Sequence, residues 1–404
     1  MKHLGNYNVQ IYTEFLKGGV EVKGCSKNTY RVPFGIILFM LLFTSAIGLS
    51  GCSENKTGTN HTGMHHDLDR MKEMPPLSFL GAEIVPIQVN GGEFYKAAGW
   101  LDENNIIYIV NEGNGSSLYS YQLDAGLKSK LFSSEIPITT AELNPDKELI
   151  LIHSATSNEG TITVIDSSGQ VLFSTSIESY ELSFEWNPFA EHLVLLTAFN
   201  EEWNFNTYLL DVKKKNMEEY ELPQPFARWI SKDELVFQEW DEEGISLQAP
   251  LRVISLKDQN TKEALSLVHR FDSLGRNLLS VKIDESDPDR AYYEIHSNRF
   301  ERIAGFAVPI LTSYSGWLIP FYDLMDGGRE FVYLRATHMG EADVYQDGFD
   351  LIRFNLESGK EELIFTGLAN EPLACSPSGT RCLYGFQLEK IINLETKEII
   401  ELAQ

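Results

Sequence analysis

The chain has 404 residues, of which 43% are hydrophobic and 23% charged, and its formal net charge at pH 7 is −25. This hydrophobic content is sufficient for a substantial core and excludes a disordered protein. A negative field of this size repels the phosphate groups of nucleic acids and of anionic lipids. We therefore expect no nucleic-acid partner, and any partner should be neutral, basic or a cation.

The longest apolar run, residues 32–51, carries no charge and is preceded by Lys27 and Arg31. A basic region, an apolar stretch and small residues before a cleavage point are typical of a secretory signal. The run ends in the tetrapeptide Leu-Ser-Gly-Cys, which resembles a bacterial lipobox. That resemblance implies cleavage between Gly51 and Cys52 and attachment of acyl chains, palmitate among them, to the Cys52 thiol.

Two points about this segment stay open. A stretch of about 20 apolar residues is also long enough to remain as an uncleaved transmembrane helix. About 30 residues precede the apolar run, which is long for a signal sequence and also allows a translation start further downstream. The charge placement and the cysteine favour processing, so residues 1–51 are predicted to be a lipoprotein signal peptide with a long pre-region.

Residues 52–77 are rich in Asn, Thr, Gly and Lys and lack periodic apolar positions, which predicts a flexible tether. His61, His65, His66 and Asp67 place four side chains of metal-ligand type within seven positions. Ligands without a rigid frame are not preorganised for a metal. The tether interpretation is therefore favoured, and no metal or other cofactor is predicted.

The remainder, residues 78–404, consists of short apolar runs separated by turn residues, which predicts an all-β domain. Four equivalent positions follow one another at constant intervals of 43 residues: Trp100, Leu143, Trp186 and Trp229. A repeat of this length in an all-β chain indicates a β-propeller with one four-stranded blade in each period. We interpret the tryptophans as core residues between blades rather than as groups that stack on a ligand.

The number of blades is less sharply defined. Cys375 realigns well with the repeat, Phe321 does so more weakly, and Phe271 is a doubtful seventh start. The repeat therefore favours six blades and allows seven. Residues 83–89 could supply the outer strand of the closing blade, so that the ring hides its sheet edges.

No catalytic motif stands out in the sequence, which has no zinc-protease, nucleophile-elbow, phosphate-loop or dinucleotide-binding pattern. Catalytic residues are therefore unknown, and the chain is interpreted as a binding protein rather than an enzyme. Two acidic segments, residues 284–289 and 341–350, offer carboxylates near bends, but neither has the spacing of an EF-hand. We interpret both as solvated loops rather than calcium sites.

Cys375 and Cys382 flank one proposed hairpin, and two interpretations remain open for them. In an oxidising exterior they could form a cross-strand disulfide, or they could be small buried hydrophobic residues. Neighbouring positions of a hairpin often have unsuitable geometry for the bond, which weighs against the disulfide.

Several features together resemble the YqgU-like lipoprotein family of bacilli. They are the lipobox at Cys52, the Trp-Leu-Asp and Trp-Asn-Pro blade starts at Trp100 and Trp186, and residues 271–284. The resemblance extends from Cys52 to Gln404 and implies a six-bladed β-propeller. It also implies a Gram-positive protein displayed on the outer face of the cytoplasmic membrane. The family brings no assigned activity and no catalytic residues.

These observations predict a lipid-anchored cell-surface propeller that acts as a binding or scaffolding module for a cell-envelope protein or glycan. The loops of a propeller stand on a rigid ring, and loops on a rigid frame are where recognition usually takes place. The alternative is a cell-envelope glycan hydrolase or lyase, with an acid and a base gathered at the central channel. Two or more carboxylates in the channel would be consistent with the hydrolase or lyase, whereas an apolar channel would exclude it.

Overall fold

The structure is a computed structural model, and it describes residues 84–241, 246–314, 316–325 and 328–403. The predicted signal segment, the lipidation residue Cys52 and the tether with its histidines lie outside these residues, so they remain predictions. Within the described ranges, no helix is both long enough and apolar enough to span a membrane.

The described residues form seven four-stranded antiparallel sheets and one smaller sheet of three strands. The strands of the first four sheets are β1 (Glu93–Trp100), β2 (Asn105–Glu112), β3 (Gly115–Gln122), β4 (Leu127–Ser134), β5 (Ile138–Leu143), β6 (Leu149–Ala155), β7 (Glu159–Asp166), β8 (Val171–Glu178), β9 (Glu181–Trp186), β10 (Leu193–Phe199), β11 (Phe205–Asp211), β12 (Asn216–Glu219), β13 (Arg228–Trp229), β14 (Glu234–Gln238), β15 (Ala249–Ser255) and β16 (Thr261–Val268).

The fifth sheet contains β17 (Arg270–Leu274), β18 (Asn277–Asp284), β19 (Asp287–His296) and β20 (Arg302–Pro309). Next in the chain come β21 (Leu311–Ser313), β22 (Gly316–Leu318), β23 (Tyr322–Leu324), β24 (Glu330–Ala336), β25 (Gly340–Glu341), β26 (Phe349–Asn355) and β27 (Glu361–Leu368). The sixth sheet is formed by β23, β24, β26 and β27. The seventh sheet contains β28 (Leu373–Cys375), β29 (Arg381–Tyr384), β30 (Lys390–Asn393) and β31 (Glu398–Glu401). The prediction of an all-β propeller is confirmed.

The middle strands are apolar because each sheet packs between two neighbours. Residues 106–110 of β2, 150–154 of β6 and 194–199 of β10 are all buried. A strand that is buried on both faces reads as a near-continuous apolar run, as these do. The outermost strands β4 and β16 are mostly exposed and carry lysines and other polar residues, which protect a free sheet edge from pairing with another chain.

The first strands of the sheets lie against one another and surround a central channel. β1 contacts β5, β9 and β17 both contact β13, β23 contacts β28, and β28 contacts β1, which closes the ring. At this seam between the seventh and first sheets, the indole Nε1 of Trp100 donates to the Ala374 carbonyl at 2.8 Å. The Ala97 N–H donates to the Gln387 carbonyl at 2.9 Å.

The first described segment, which precedes β1, runs beside the seam. Ile87 forms a parallel bridge with Ala403 beyond β31, and its N–H donates to the Leu402 carbonyl at 2.6 Å. The Val85 N–H donates to the Leu123 carbonyl of the first sheet at 2.8 Å. The seventh sheet already has four strands from the end of the chain. This segment therefore adds to the closing sheet and does not supply its outer strand, which corrects that expectation.

Seven four-stranded sheets among the described residues equal the larger of the two blade counts that the repeat allowed. The last residues of the seven first strands are, in order, Trp100, Leu143, Trp186, Trp229, Leu274, Leu324 and Cys375. The doubtful start at Phe271 belongs to the complete fifth sheet, and the proposed starts Phe271 and Phe321 lie three residues too early. The sequence favours six because the strands around Phe271 are irregular and the interval of 92 residues from Trp229 to Phe321 differs from two periods of 43.

A three-stranded sheet, which we call the accessory sheet, stands outside the repeat. Its middle strand β21 pairs antiparallel with β22 and parallel with β25. The β21–β22 hairpin lies in the connection from β20 to β23, whereas β25 and a 3-10 turn, Ala342–Val344, lie in the connection from β24 to β26. Because successive strands are antiparallel, both connections are on the face opposite the turns between first and second strands. We call this face the loop face.

The two cysteines of the seventh sheet lie opposite each other. Cys375 of β28 pairs with Cys382 of β29, and their Sγ atoms are joined in a disulfide. Cys382 is at the same time fully buried in a core cluster. Directly opposite residues of an antiparallel pair project from the same face of the sheet, which brings the two sulfurs together. The two residues are therefore bonded, with Cys382 buried and Cys375 partly buried, although the hairpin geometry weighed against the bond.

Candidate functional site

Equivalent residues of the first strands lie at one level around the channel. Each directly precedes the last residue of its strand, and in order they are Gly99, Glu142, Glu185, Arg228, Ser273, Asp323 and Ala374. Successive side chains of a strand point to opposite sides. Because the last residue of each first strand packs between sheets, the side chain of the residue before it points away from that packing contact. The middle of this series is rich in ionisable groups, which makes the channel wall polar.

Arg228 is the centre of a hydrogen-bonded network that spans four sheets. Its Nε donates to Asp272 Oδ1 at 2.8 Å, and its Nη1 lies 3.7 Å from Glu185 Oε2. The Ser273 hydroxyl donates to Glu185 Oε1 at 2.7 Å, and the Tyr322 hydroxyl donates to Asp272 Oδ2 at 3.0 Å. A cavity of about 10 Å³ beside Glu185 and Arg228 has room for about one water molecule.

The charges in this network stabilise one another. Burial alone would lower the pKa of Arg228, but the carboxylates of Glu185 and Asp272 outweigh it and raise that pKa. Burial disfavours the ionised form of Asp272, yet Arg228 and Arg270 hold the pKa of Asp272 below its usual range. For Glu185 burial prevails over Arg228, so the pKa of this carboxyl is raised. Arg228 and Asp272 thus form the charged pair of the network.

A buried tryptophan fixes the strand that carries Glu185. The indole Nε1 of Trp229 donates to the Glu185 carbonyl at 3.1 Å, and Trp229 is 1% exposed. The bond from Trp100 to Ala374 at the seam is equivalent, because both carbonyls belong to the residue before the last in the preceding first strand. Trp100 and Trp229 therefore hold neighbouring first strands together and help to set the positions of the channel residues.

Two further ionisable groups, Lys96 of β1 and Glu142 of β5, have a different environment. Glu142 is exposed to the channel, although the surrounding sheets restrict its access to bulk water. This burial raises the pKa of Glu142 to about 8, with a smaller contribution from the negative charge of Glu185. Lys96 is partly buried, and burial lowers its pKa against the opposing effect of Glu142. Neither side chain makes a hydrogen bond or ion pair with a residue that the structure describes.

Asp323 joins the sixth and seventh sheets. Its Oδ2 accepts the Cys375 N–H at 2.6 Å, and its Oδ1 accepts the Leu324 N–H at 2.9 Å. Burial raises the pKa of Asp323 to about 7, despite the two N–H donors that favour its ionised form. The backbone of the disulfide-bonded Cys375 is thus held by a carboxylate of the neighbouring sheet.

The two acidic segments have local structural roles. The Asp284 Oδ1 accepts the N–H and the hydroxyl of Ser286 at 2.8 and 2.7 Å, and the Tyr292 hydroxyl donates to Asp287 Oδ2 at 2.6 Å. In the second segment, Asp347 Oδ2 lies 2.5 Å from the Nε2 of His338. Across the described ranges there is no group of three or more His, Cys, Asp or Glu residues that could hold a metal ion.

The accessory sheet presents apolar side chains on the loop face. Tyr314, Met339 and Val344 are 92%, 51% and 68% exposed. The connection that carries the latter two is tied at its base by the Tyr345 hydroxyl, which accepts the Thr337 N–H at 2.8 Å and donates to the Gly348 carbonyl at 2.8 Å. This part of the surface is therefore held in place by side-chain bonds, although it lies outside the repeat.

Comparison with known proteins gives the family. Residues 122–385 match the family described as a YqgU-like 6-bladed beta propeller domain. The chain belongs to this family. The matched residues contain the second to sixth sheets in full, together with β4, β28 and β29. They also contain every residue of the channel series and of the Arg228 network except Gly99. A Bacillus subtilis (strain 168) relative named Uncharacterized lipoprotein YqgU is 25% identical over 367 residues, which are 90% of this chain and 97% of the relative.

Two solved structures show the same architecture. The uncharacterized protein lmo1340 from Listeria monocytogenes EGD-e has a TM-score of 0.73 and 17% identity, over 80% of this chain and 98% of that chain. The β-propeller domain of the Trilobed protease from Pyrococcus furiosus has a TM-score of 0.53 and 13% identity, over 78% of this chain and 99% of that domain. Both likenesses concern the fold alone.

The sequence interpretation named no residue of the channel network. Glu142, Glu185 and Arg228 follow one another at the same interval of 43 residues as the apolar positions beside them. An ionisable residue next to a periodic core position was therefore the signal that could have located the channel wall. Asp272 and Tyr322 lie where the repeat is irregular, and no such periodicity marks them.

Proposed function

We propose that the chain is a lipid-anchored protein on the outer face of the cytoplasmic membrane, and that its propeller binds a cell-envelope partner. Cleavage between Gly51 and Cys52 would make Cys52 the first mature residue, and its acyl chains would provide the anchor. Residues 52–77 would act as the tether. This anchoring is supported by the apolar run with its lipobox and by the name of the Bacillus subtilis relative, which is that of a lipoprotein.

The accessory sheet is the observation that carries the binding function. It departs from the four-stranded repeat, stands on the loop face and exposes Tyr314, Met339 and Val344. Large apolar side chains gathered on a rigid support are typical of surfaces that contact another protein. The ring itself is fixed by bonds between neighbouring first strands, so the surface would meet its partner without rearrangement.

The charges near these side chains define the partner further. Glu341 and Asp343 are exposed on the same connection as Met339 and Val344. With a chain charge of −25, this surface would repel an acidic partner. A neutral or basic protein surface with apolar side chains is therefore the expected partner.

The channel contains carboxylates, which was the condition for the hydrolase or lyase alternative. Glu185 and Asp272 are, however, bonded to Arg228, Ser273 and Tyr322. A hydrolytic acid and base both have to reach the substrate. Side chains engaged in such a network are poorly placed for this, Asp323 accepts two backbone N–H groups, and Glu142 would supply only one of the two groups, so binding is retained as the proposed activity.

Site-specific photo-crosslinking on living cells tests the proposal. The full chain would carry a photoreactive amino acid at Val344 or, as a matched control, at Leu127, which is a similarly exposed apolar residue on β4. We expect one discrete crosslinked protein at position 344 and none at 127, and Met339→Lys should abolish it. Equal crosslinking at both positions would count against the accessory sheet. Lipid labelling that persists after Cys52→Ala would count against the anchor.

A further inference from the structure

The outermost strand of the fifth sheet differs from the other outer strands. Residues 303–308 of β20 read Ile-Ala-Gly-Phe-Ala-Val and contain no charged or hydrogen-bonding side chain. Each outer strand of the other six four-stranded sheets carries lysines or glutamates: Lys128 and Lys130 of β4, Glu178 of β8, Glu218 and Glu219 of β12, Lys262 and Glu263 of β16, Glu361 and Glu362 of β27, and Glu398 and Glu401 of β31. Charged residues on an outer strand oppose its pairing with another chain, and β20 lacks this protection.

One side of β20 is open for pairing. In the fifth sheet β20 pairs with β19 on one side only, and residues 302–308 make no further backbone–backbone hydrogen bond within the described ranges. Ile303 is 46% exposed, and residues 304–307 are only partly buried. Alternate N–H and C=O groups of an outer strand point away from its neighbour, so β20 presents a row of backbone donors and acceptors to a further strand.

The two faces of β20 also suit an added strand. The ring centroid of Phe306 lies 4.5 Å from that of Tyr333 in the sixth sheet, so one face of β20 is packed against its neighbour. Successive residues point to opposite faces. On the other face Gly305 lies opposite Glu294 of β19 and, with Ala307, borders a groove of about 210 Å³. The edge is therefore held in place by packing and has room beside it for a side chain of the added strand.

We propose that β20 pairs antiparallel with β20 of a second copy of the chain across a two-fold axis, which joins the two fifth sheets into one continuous sheet. Directly opposite residues of such a pair project from the same face. With the axis near Gly305 or Phe306, the apolar residues at the centre of the strand lie opposite one another, and Arg302 is not opposite its own copy. This contact is independent of the accessory sheet and of its proposed partner.

The charge and the order of β20 make a second copy the fitting occupant. With a net charge of −25, two copies repel each other, but β20 brings no acidic side chain into the pair. The second β20 is already extended in its own fold, so it pairs without the loss of chain entropy that an unstructured peptide would undergo. Two copies held in one membrane by the anchor proposed above would also meet at a raised effective concentration.

Analytical ultracentrifugation of the full chain in a density-matched detergent tests the pairing. We expect an equilibrium between monomer and dimer that shifts towards dimer as the salt rises from about 0.05 M to about 0.5 M, because salt screens the repulsion. Ile303→Glu should weaken the dimer at least about tenfold. Leu127→Glu on β4 adds the same charge at another exposed apolar residue and should leave dimerisation unchanged. A monomer under all conditions, or equal weakening by both variants, would overturn the proposal.

A photoreactive amino acid at position 303 locates the contact without a charge change. We expect two crosslinked chains, with the captured peptide of the second copy containing residues 302–309, and no such product from position 127. Capture of residues 52–83 of the same chain, or on cells of an unrelated protein, would give the edge a different occupant and contradict the assignment. The probe at position 344 reports on the accessory sheet alone, so either proposal can fail while the other stands.

Discussion

The first four sheets and the last three use different residues to join their first strands to those of neighbouring sheets. In the first group the starts are 43 residues apart, and Trp100 and Trp229 donate to the carbonyls of preceding first strands. In the second group the equivalent positions are Leu274, Leu324 and Cys375, which have no indole. Other side chains make the links between these sheets. The residues that join neighbouring first strands thus differ between the two groups, and an indole bond is not made at every tryptophan, since Trp186 Nε1 has no hydrogen-bond partner within the described ranges.

The turns and connections show the same difference. Asn144 Nδ2 donates to the Glu191 carbonyl of the next sheet at 3.0 Å, and Asn187 makes an equivalent link to residues 231 and 232. The later sheets use other acceptors. Asp323 accepts the N–H of Cys375, and Asn370 Oδ1 accepts the Phe321 N–H at 3.0 Å. The sheets of the second group are therefore linked by carboxylate and amide groups.

The largest difference should appear at the last residue of a first strand. Trp229→Ala removes a fully buried indole and should lower the free energy of unfolding by about 3–5 kcal/mol. Leu324→Ala at the equivalent place of the sixth sheet should lower it by less than about 2 kcal/mol, because Leu324 is only partly buried. Urea unfolding followed by far-UV circular dichroism measures both changes. Similar losses for the two variants would mean that the groups do not differ at this position.

The disulfide should contribute an intermediate amount, and only to the second group. It closes a short loop, since Cys375 and Cys382 are seven residues apart. Replacing both residues by alanine should therefore lower the free energy of unfolding by about 2 kcal/mol. Reductant should lower the melting temperature of the unmodified chain about as much as the double substitution does. It should not change the melting temperature of the double variant. A reductant effect that persists in the variant would place the sensitive group elsewhere.

The last difference concerns the pH dependence that Asp323 contributes. Its pKa in the fold is about 7, above the value of about 4 for an unfolded chain. Between these values the folded state retains a proton that the unfolded state releases, so stability falls as the pH rises from 4 to 7. Because the two pKa values differ by about three, Asp323→Asn should flatten this fall by up to about 4 kcal/mol. Thermal unfolding across that range measures it, with Asp284→Asn on an exposed loop as the control. An unchanged slope would exclude Asp323 as the source.

The sequence could predict the propeller because three features recur together in the part of the chain that repeats every 43 residues. An apolar position, a turn and a run of buried aliphatic residues recur together around Trp100, Leu143, Trp186 and Trp229. The same reasoning lost accuracy at Phe271 and beyond, where Leu replaces Trp and the turns lack the Asn-Pro pair. The accessory sheet adds further chain in this region, so a fixed interval no longer applies.

The channel network and the disulfide depend on contacts that are distant in the chain. Arg228 meets Glu185 and Asp272 because three successive sheets place their first strands side by side. No local sequence pattern predicts which charged residues of neighbouring first strands will contact each other. The register that brings Cys375 opposite Cys382 is likewise set by the pairing of β28 with β29. Periodicity therefore locates strands, whereas the pairing of side chains follows from how the ring closes.

The segment before β1 has a mechanical consequence for a chain held at its amino end. Any pull transmitted towards Ile87 is carried first by its bond to Leu402, by the Val85 N–H on Leu123 and by the Tyr121 hydroxyl on the Val85 carbonyl at 2.8 Å. These bonds are on both sides of the seam, so the load is shared between the first and last sheets. Force on the proposed anchor would therefore strain this seam before the junctions between the other sheets.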